Sequence, residues 1–323
     1  MRSAFLSSVR LASISILAPL SAQQLALQGP TSGLIYDETR RAIRPILGIP
    51  GGAHLSGPIF TDLDYASIAP NGNTALGVRN GKVLVIRGLT SGQITADILL
   101  GAIVNPYLIL WSENSTTAVL CSDGRLQRVT NLDSTPATEG IVGFPFLKGR
   151  VTAVAVDPSA RKIVAGIRGQ SGGAVFFISE YGDISQLTSM EEPSAAVFTQ
   201  DGQDVYVADR TSEQVWLFRN ASAQAPAALM LDTSNGISDP VGLTVAGQRL
   251  FVVNGTKHTV RSYDLPNVTF AGEYLLETAP RGIERIGGSL YYRVTAAPSV
   301  SSELWLLDVR SQQPSIFVVP TGE

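Results

Sequence analysis

The chain has 323 residues, of which 44% are hydrophobic and 16% are charged, so it has enough apolar material for a large core and is not typical of a disordered protein. The formal net charge is −3, and the absence of a Lys- or Arg-rich run excludes the charge pattern of a nucleic-acid-binding protein. The single cysteine, Cys121, excludes an intrachain disulfide and, within an apolar segment, predicts a buried thiol in a strand.

Residues 1–22 have the pattern of a secretory signal peptide. Arg2 and Arg10 are the only charged residues of this segment, and its apolar run ends in the small residues Ser21 and Ala22. The run is too short to cross a bilayer, and no later stretch is long enough to do so. We therefore predict cleavage after Ala22 and a secreted or periplasmic mature chain, residues 23–323, without an integral membrane segment.

The mature chain repeats one pattern of short strands and polar turns. Six segments open with an apolar strand, and the openings lie 40 to 47 residues apart. They begin at Tyr65, Pro106, Val151, Pro193, Pro240 and Pro280. A fixed period of this length, filled with strands, predicts a β-propeller.

The repeat that begins at Pro193 shows the pattern most clearly. Gln200-Asp201-Gly202 predicts a hairpin turn, because glycine readily adopts the positive φ that such turns require. Val205–Asp209 alternates as a half-buried strand does, and Val215–Phe218 and Ala228–Leu231 follow it. The repeat therefore predicts a four-stranded antiparallel blade.

The same pattern predicts an all-β, single-domain propeller with seven blades, with six blades as the alternative. Six repeats occupy about residues 62–320, and residues 23–61 predict a less regular seventh blade that lacks an inner strand. Either Leu25–Leu27 or the C-terminal end could supply that strand, which would place both termini in one blade. Residues 136–148 predict an insertion between outer strands.

Two repeats resemble a known group of propellers. Val205–Asp209 followed by Val215–Phe218 resembles the NHL-type repeat, and Pro240–Val245 with Leu250–Asn254 is similar to the openings of NHL and YVTN repeats. The resemblance implies an exported propeller of the bacterial type that binds a protein, a peptide or a carbohydrate. Propellers of the NHL-like group also include lactonases and lyases, so the resemblance leaves an enzymatic function open.

The ends of the second strands supply the candidate ligand-binding residues. If the repeats superpose, these side chains converge on one face of the ring, where loops of different blades form a cleft. The predicted ring consists of Arg79, Arg168, Asp209, Asn254 and Arg293, with Ser122 or Asp123 at the equivalent position of the repeat at Pro106. Its arginines favour an anionic ligand, such as a carboxylate or an acidic sugar.

These observations favour a monomeric, non-catalytic binding module without a cofactor and without a nucleic-acid partner. The alternative is an enzyme that uses the axial cleft, either a lyase or a metal-dependent lactonase of the gluconolactonase type. In that case Asp209 and Asn254 would offer oxygen ligands to Ca²⁺ or Mg²⁺. His54 and His258 do not have the spacing of a zinc site.

Overall fold

The computed structural model describes residues 30–143, 149–223, 225–296 and 303–321. These residues form seven antiparallel sheets, six with four strands and one with three, together with two short 3₁₀ turns at Ala221–Ala223 and Thr233–Asn235. Within these ranges no helix is long and apolar enough to cross a membrane. The predicted signal peptide, residues 1–22, lies outside the described residues.

Each sheet is one blade, and the blades follow one another in chain order. Blade 1 contains β1 (Thr31–Asp37), β2 (Ala42–Leu47) and β3 (His54–Leu55). Blade 2 contains β4 (Tyr65–Ile68), β5 (Thr74–Arg79), β6 (Lys82–Arg87) and β7 (Thr95–Ile98), and blade 3 contains β8 (Leu108–Trp111), β9 (Ala118–Ser122), β10 (Arg125–Thr130) and β11 (Ala137–Gly143). Blade 4 contains β12 (Gly149–Val156), β13 (Ile163–Gly169), β14 (Gly172–Ile178) and β15 (Ile184–Met190).

The remaining three blades complete the ring. Blade 5 contains β16 (Pro193–Phe198), β17 (Val205–Asp209), β18 (Gln214–Phe218) and β19 (Ala228–Leu231). Blade 6 contains β20 (Pro240–Ala246), β21 (Arg249–Asn254), β22 (Thr259–Asp264) and β23 (Thr269–Leu275). Blade 7 contains β24 (Pro280–Arg285), β25 (Tyr291–Ala296), β26 (Glu303–Asp308) and β27 (Ser315–Pro320). The prediction of a seven-bladed β-propeller is confirmed.

In blades 2 to 7 the first strand is an edge strand of its sheet, and in blades 2 to 6 it lies next to the first strand of the following blade. We call β4, β8, β12, β16, β20 and β24 the inner strands. They begin at one face of the ring, the upper face, and end at the other, the lower face. The hairpin after β16 shows the predicted turn chemistry, because Gly202 has a φ of 67° and the Asp201 carboxylate accepts from the Gln203 amide.

The hydrophobic core lies between the blades. Each of the seven buried clusters combines side chains of two neighbouring blades. Tyr206 packs with Leu250 between blades 5 and 6, for example, and Ile46 packs with Leu306 between blades 1 and 7. Cys121 lies in the cluster between blades 3 and 4, as a buried strand residue, and burial raises the pKa of its thiol to about 12.

Hydroxyl groups add polar links between neighbouring inner strands. Ser67 of β4 donates to the Ile109 carbonyl of β8, at 3.2 Å. Thr152 of β12 donates to the Pro193 carbonyl, and Ser194 of β16 donates to the Pro240 carbonyl. Each of these carbonyls belongs to an inner strand, one edge of which is not paired within its own sheet. The hydroxyl group of the neighbouring inner strand satisfies the carbonyl by donating a hydrogen bond to it.

Blade 1 differs from the others in the direction of its first strand. Leu34 of β1 forms an antiparallel bridge with Gly287, which follows the inner strand β24. The first strand of blade 1 therefore runs against the inner strands, as the second strand of every other blade does. Blade 1 thus has no inner strand of its own among the described residues, in agreement with the irregular seventh blade expected from the sequence.

The C-terminal segment does not supply the inner strand of blade 1. Its strand, β27, pairs with β26 as the outermost strand of blade 7, so the expectation that the C-terminal end completes blade 1 is wrong. The other candidate strand, residues 25–27, lies outside the described residues. Part of the expected insertion is also regular structure, since β11 pairs with β10 as the outer strand of blade 3.

The segment that follows the inner strand of blade 7 meets the lower end of the inner strand of blade 2 in front of blade 1. The Gly288 amide donates to the Pro70 carbonyl at 2.8 Å, and a Cβ atom on Gly287 would clash with the Ile68 side chain and the Ala69 carbonyl. Glycine at position 287 is therefore required by this close approach. Among the described residues, the axis of the seven-bladed ring is therefore bounded by six inner strands.

Arg44 joins blade 1 to blade 7 on the outer side of the same seam. Its buried guanidinium pairs with Asp37 at 2.7 Å, donates to the Ser56 carbonyl at 2.8 Å and reaches the Thr321 carbonyl after β27 at 3.1 Å. A buried charge of this kind is tolerated because both an anion and carbonyl groups surround it.

We predict that Val207→Asp lowers the free energy of unfolding by about 3 kcal/mol or more, because Val207 is fully buried between blades 4 and 5 and the carboxylate would have no partner there. Leu275→Asp is the control, since 77% of that side chain is exposed on an outer strand, and its midpoint should change little. Urea unfolding followed by circular dichroism measures both. Equal midpoints for the two variants would contradict the packing described for β17.

Candidate functional site

A cavity of about 440 Å³ lies on the propeller axis. It is lined by residues of all six inner strands and of the turns that follow them at the lower face, and no described residue of blade 1 belongs to the lining. The lining extends from Thr152 and Ser194, near the upper ends of their strands, to Pro158 and Gln200 at the lower face. We call this space the central cavity.

The wall of the central cavity combines apolar side chains with strand edges. Leu110, Val197 and Ile283 are partly buried residues of its lining. Each inner strand pairs with a neighbour on one side only, so backbone N–H and C=O groups of its other edge face the axis. The wall can therefore accommodate apolar groups and can also form hydrogen bonds with a ligand.

Two aromatic residues lie on the side of the cavity formed by blades 2 and 3. The indole of Trp111 donates to Ser67 Oγ at 3.1 Å, and the ring of Tyr65 packs edge-on against Tyr36 with centroids 6.0 Å apart. Burial, followed by the negative charge of Glu284, raises the pKa of Tyr65 well above its usual value. Tyr65 is therefore a neutral hydroxyl group at any physiological pH.

Four charged residues belong to the lining of the central cavity. The Asp157 carboxylate accepts from Ser159 and from the amides of Arg161 and Lys162, so it stabilises its own turn. Glu284 forms an ion pair with Arg293 at 3.3 Å. Glu113 and Arg285, the other two, lie at the lower end of the cavity and are exposed.

The arginines of the predicted ring have acceptors within the protein. Arg79 donates to the carbonyls of Asp62 and Thr61, at 2.9 and 2.7 Å, and its guanidinium lies over the Phe60 ring. Arg168 pairs with Glu192. Because these cations already have acceptors, the geometry gives them less capacity for an anionic ligand than the sequence suggests.

Arg293 donates to the Tyr36 carbonyl at 3.0 Å in addition to its ion pair with Glu284, and it thereby connects blades 7 and 1. It does not lie at the end of a second strand, because β25 continues to Ala296, which pairs with Pro280. Asp209 pairs with Pro193 and Asn254 pairs with Pro240 in the same way. The position equivalent to Asp209 in blade 7 is therefore Ala296.

Asp209 and Asn254 are buried and fully engaged in hydrogen bonds. The Asp209 carboxylate accepts from the amides of Glu191 and Glu192, at 3.0 and 3.1 Å, and from Ser212. Asn254 accepts from the Ser238 amide and donates to the Gly236 carbonyl and to Thr259. Both side chains connect the end of a second strand to the segment that enters the inner strand, which is a structural role.

The structure does not bring the five residues of the predicted ring together at the central cavity, and none of them belongs to its lining. Among the described residues, no group of three or more His, Cys, Asp or Glu side chains is arranged to hold a metal ion. One ion pair recurs between neighbouring blades and was not predicted from the sequence. Arg210 pairs with Asp239 as Arg168 pairs with Glu192, so each arginine connects its blade to the entrance of the next.

Sequence reasoning missed the residues of the central cavity. Trp111 ends an opening segment of the repeat, and Glu113 follows two residues later. Their position in the repeat could have indicated them. A large aromatic residue and a charged residue at the lower end of an inner strand lie next to the axis of a propeller. The repeat pattern alone contains no information on which inner-strand residues leave space between them.

Comparisons with known proteins support the fold and nothing more specific. No protein-family model matches the chain, and no curated protein matches it. A functionally unknown protein from Desulfotomaculum acetoxidans has a similar structure, with a TM-score of 0.64, 13% identity and coverage of 90% of this chain and 99% of that one. A protein from Lactobacillus plantarum has a TM-score of 0.63, 13% identity and coverage of 90% and 96%.

A third similar structure is a chain in a nidogen–laminin complex, with a TM-score of 0.54, 12% identity and coverage of 78% of this chain and 97% of that one. At this level of identity the likeness shows the fold alone. The three structures are therefore similar to this chain in fold and do not distinguish a binding module from an enzyme.

We predict that Asp209→Ala lowers the free energy of unfolding by about 2 kcal/mol, because the amides of Glu191 and Glu192 lose their acceptor. The loss should be equal in Ca²⁺ and in EDTA, measured by thermal unfolding. Glu277→Ala, which removes an exposed carboxylate from the same face, is the control and should melt as the wild type does. A Ca²⁺-dependent melting temperature that disappears in Asp209→Ala would instead support the metal site considered from the sequence.

Proposed function

We propose that this protein is a non-catalytic binding module whose central cavity receives a ligand, or a protruding segment of one, from the lower face. The ligand class is a protein, a peptide or a carbohydrate. The observation that carries the proposal is the cavity itself, whose volume of about 440 Å³ lies within the range of small-ligand sites. Its wall combines partly buried apolar side chains with free strand edges and a few polar groups.

The fold supports a binding role by analogy only. A protein of similar structure occurs in a complex of nidogen with laminin, so this architecture is compatible with participation in a protein complex. A rigid ring that holds loops of several blades around one opening is a suitable platform for recognition. The lactonase alternative receives less support, because the two residues that would hold its metal are occupied by internal hydrogen bonds.

Trp111 provides a direct measurement of binding in the central cavity. In a variant that carries Trp216→Phe and Trp305→Phe, Trp111 is the remaining tryptophan, and we expect ligand binding to change its emission. Suitable probes are unmodified tripeptides and maltotriose, added in titration. A variant that also carries Trp111→Phe controls for unspecific effects. Binding detected by calorimetry without any change in Trp111 emission would place the ligand elsewhere and contradict the proposal.

We also propose that the protein is exported, on the basis of residues 1–22. Expression of the full chain in a bacterial host with periplasmic fractionation should yield a mature protein whose first residue is Gln23. N-terminal sequencing measures this. The control variant Ile16→Arg interrupts the apolar run and should retain the precursor in the cytoplasm. A precursor that keeps Met1 in the periplasm, or a mature terminus far from residue 23, would contradict the proposed cleavage.

A further inference from the structure

Two opposite charges at the lower end of the central cavity have no ion-pair partner among the described residues. The four charged residues of the lining divide into two groups, because Asp157 is held by its own turn and Glu284 is paired with Arg293. Glu113 and Arg285 remain. Neither forms an ion pair within the part of the chain that the structure describes.

Both side chains are held by rigid backbone at the mouth of the cavity. The amide of Glu113 donates to the Pro158 carbonyl at 2.8 Å, which fixes the turn after β8 against blade 4. Arg285 is the last residue of β24, and only its Nε atom has an acceptor among the described residues, the Ser289 carbonyl at 3.4 Å. The terminal nitrogens of its guanidinium are therefore available to a ligand.

Both charged residues belong to the lining of the central cavity, Glu113 after the inner strand of blade 3 and Arg285 at the end of the inner strand of blade 7. Both side chains are exposed. The carboxylate and the guanidinium therefore both border the lower part of the central cavity.

The charges of Glu113 and Arg285 determine which distribution of charge a ligand of this cavity should have. A simple anion would be attracted by Arg285 and repelled by Glu113, and a simple cation would experience the reverse. A ligand that has both charges, separated by a neutral part, satisfies both groups. The same lining contains the apolar residues Leu110, Val197 and Ile283, as well as strand edges that can form hydrogen bonds with amide groups.

We propose that the central cavity binds a short zwitterionic peptide, with its ammonium group at Glu113 and its carboxylate at Arg285. This inference rests on the proposed function and specifies the ligand class of the same site. A guanidinium can bind a carboxylate through two parallel hydrogen bonds, which fixes the orientation of the peptide. The strand edges bind its amide groups, and the apolar wall receives its central side chain.

To test this, the mature protein is titrated by calorimetry at low ionic strength. The ligands are tripeptides that have free termini and a central Ala, Ser, Leu or Phe. The same peptides are then tested with an acetylated N-terminus or an amidated C-terminus. We expect each modification to weaken binding about tenfold or more, since each removes one charge-assisted contact. In Glu113→Gln the acetylated and free peptides should bind equally, and in Arg285→Gln the amidated and free peptides should bind equally.

Matched variants control for the general loss of a charge. Asp133→Asn removes an exposed carboxylate from an outer turn of blade 3, the blade that contains Glu113. Arg310→Gln removes a cation that lines a neighbouring cavity together with Arg285 but does not belong to the lining of the central cavity. Both variants should bind the free tripeptides as the wild type does. An equal loss in the control variants would overturn the assignment of Glu113 and Arg285.

The results separate this inference from the proposed function. If no tripeptide binds but maltotriose changes the emission of Trp111, the zwitterionic ligand is wrong and the binding cavity stands. If the capped peptides bind as tightly as the free ones, the roles of the two charges are wrong although a peptide binds. If neither class of probe binds in the central cavity, both proposals fail.

Discussion

The packing of each blade against its two neighbours is the interaction on which the whole molecule depends. No blade has a core of its own, because every buried cluster of the described residues combines side chains of two adjacent sheets. A single blade would expose both of its faces, so the free energy of burial is gained only when the sheets assemble around the axis. The same arrangement leaves one edge of each inner strand without a partner in its sheet.

That unpaired edge creates the candidate site. Hydroxyl groups of Ser67, Thr152 and Ser194 satisfy some carbonyls of the next inner strand, and the remaining edges border the central cavity. The candidate site is therefore a product of ring closure and not of an inserted loop. Trp111, Glu113 and Arg285 belong to its lining at the lower face.

The architecture was predictable from the sequence because turn chemistry and strand period agree in each repeat. Even the irregular first blade, which has no inner strand among the described residues, follows from the short segment before Tyr65. The site was not predictable in the same way. Asp209 and Asn254 end strands in polar turns, and a sequence cannot distinguish a residue that caps its own turn from one that faces a ligand, since both need a short polar side chain.

The strand β11 was not predicted from the sequence, for a related physical reason. Its residues are mostly exposed on the outer edge of blade 3, so selection for burial does not impose an alternating pattern on them. Arg293 was misplaced by three residues because β25 extends to Ala296, and strand ends are the least certain feature of a repeat. The axial cavity depends on the spacing of six strands that are distant in sequence, which no local pattern encodes.

The seam between blades 7 and 1 has a mechanical consequence. Among the described residues, no strand from one end of the chain pairs with the sheet at the other end, so the ring is not fastened by an exchanged strand. The seam is held by side-chain packing, by the bridge between Leu34 and Gly287, by Arg44 and Arg293, and by the contact of Gly287 and Gly288 with blade 2. Every other pair of neighbouring blades is also linked by the chain itself, whereas blades 1 and 7 are the two ends of the described ring, so loss of the seam contacts would separate them as intact sheets.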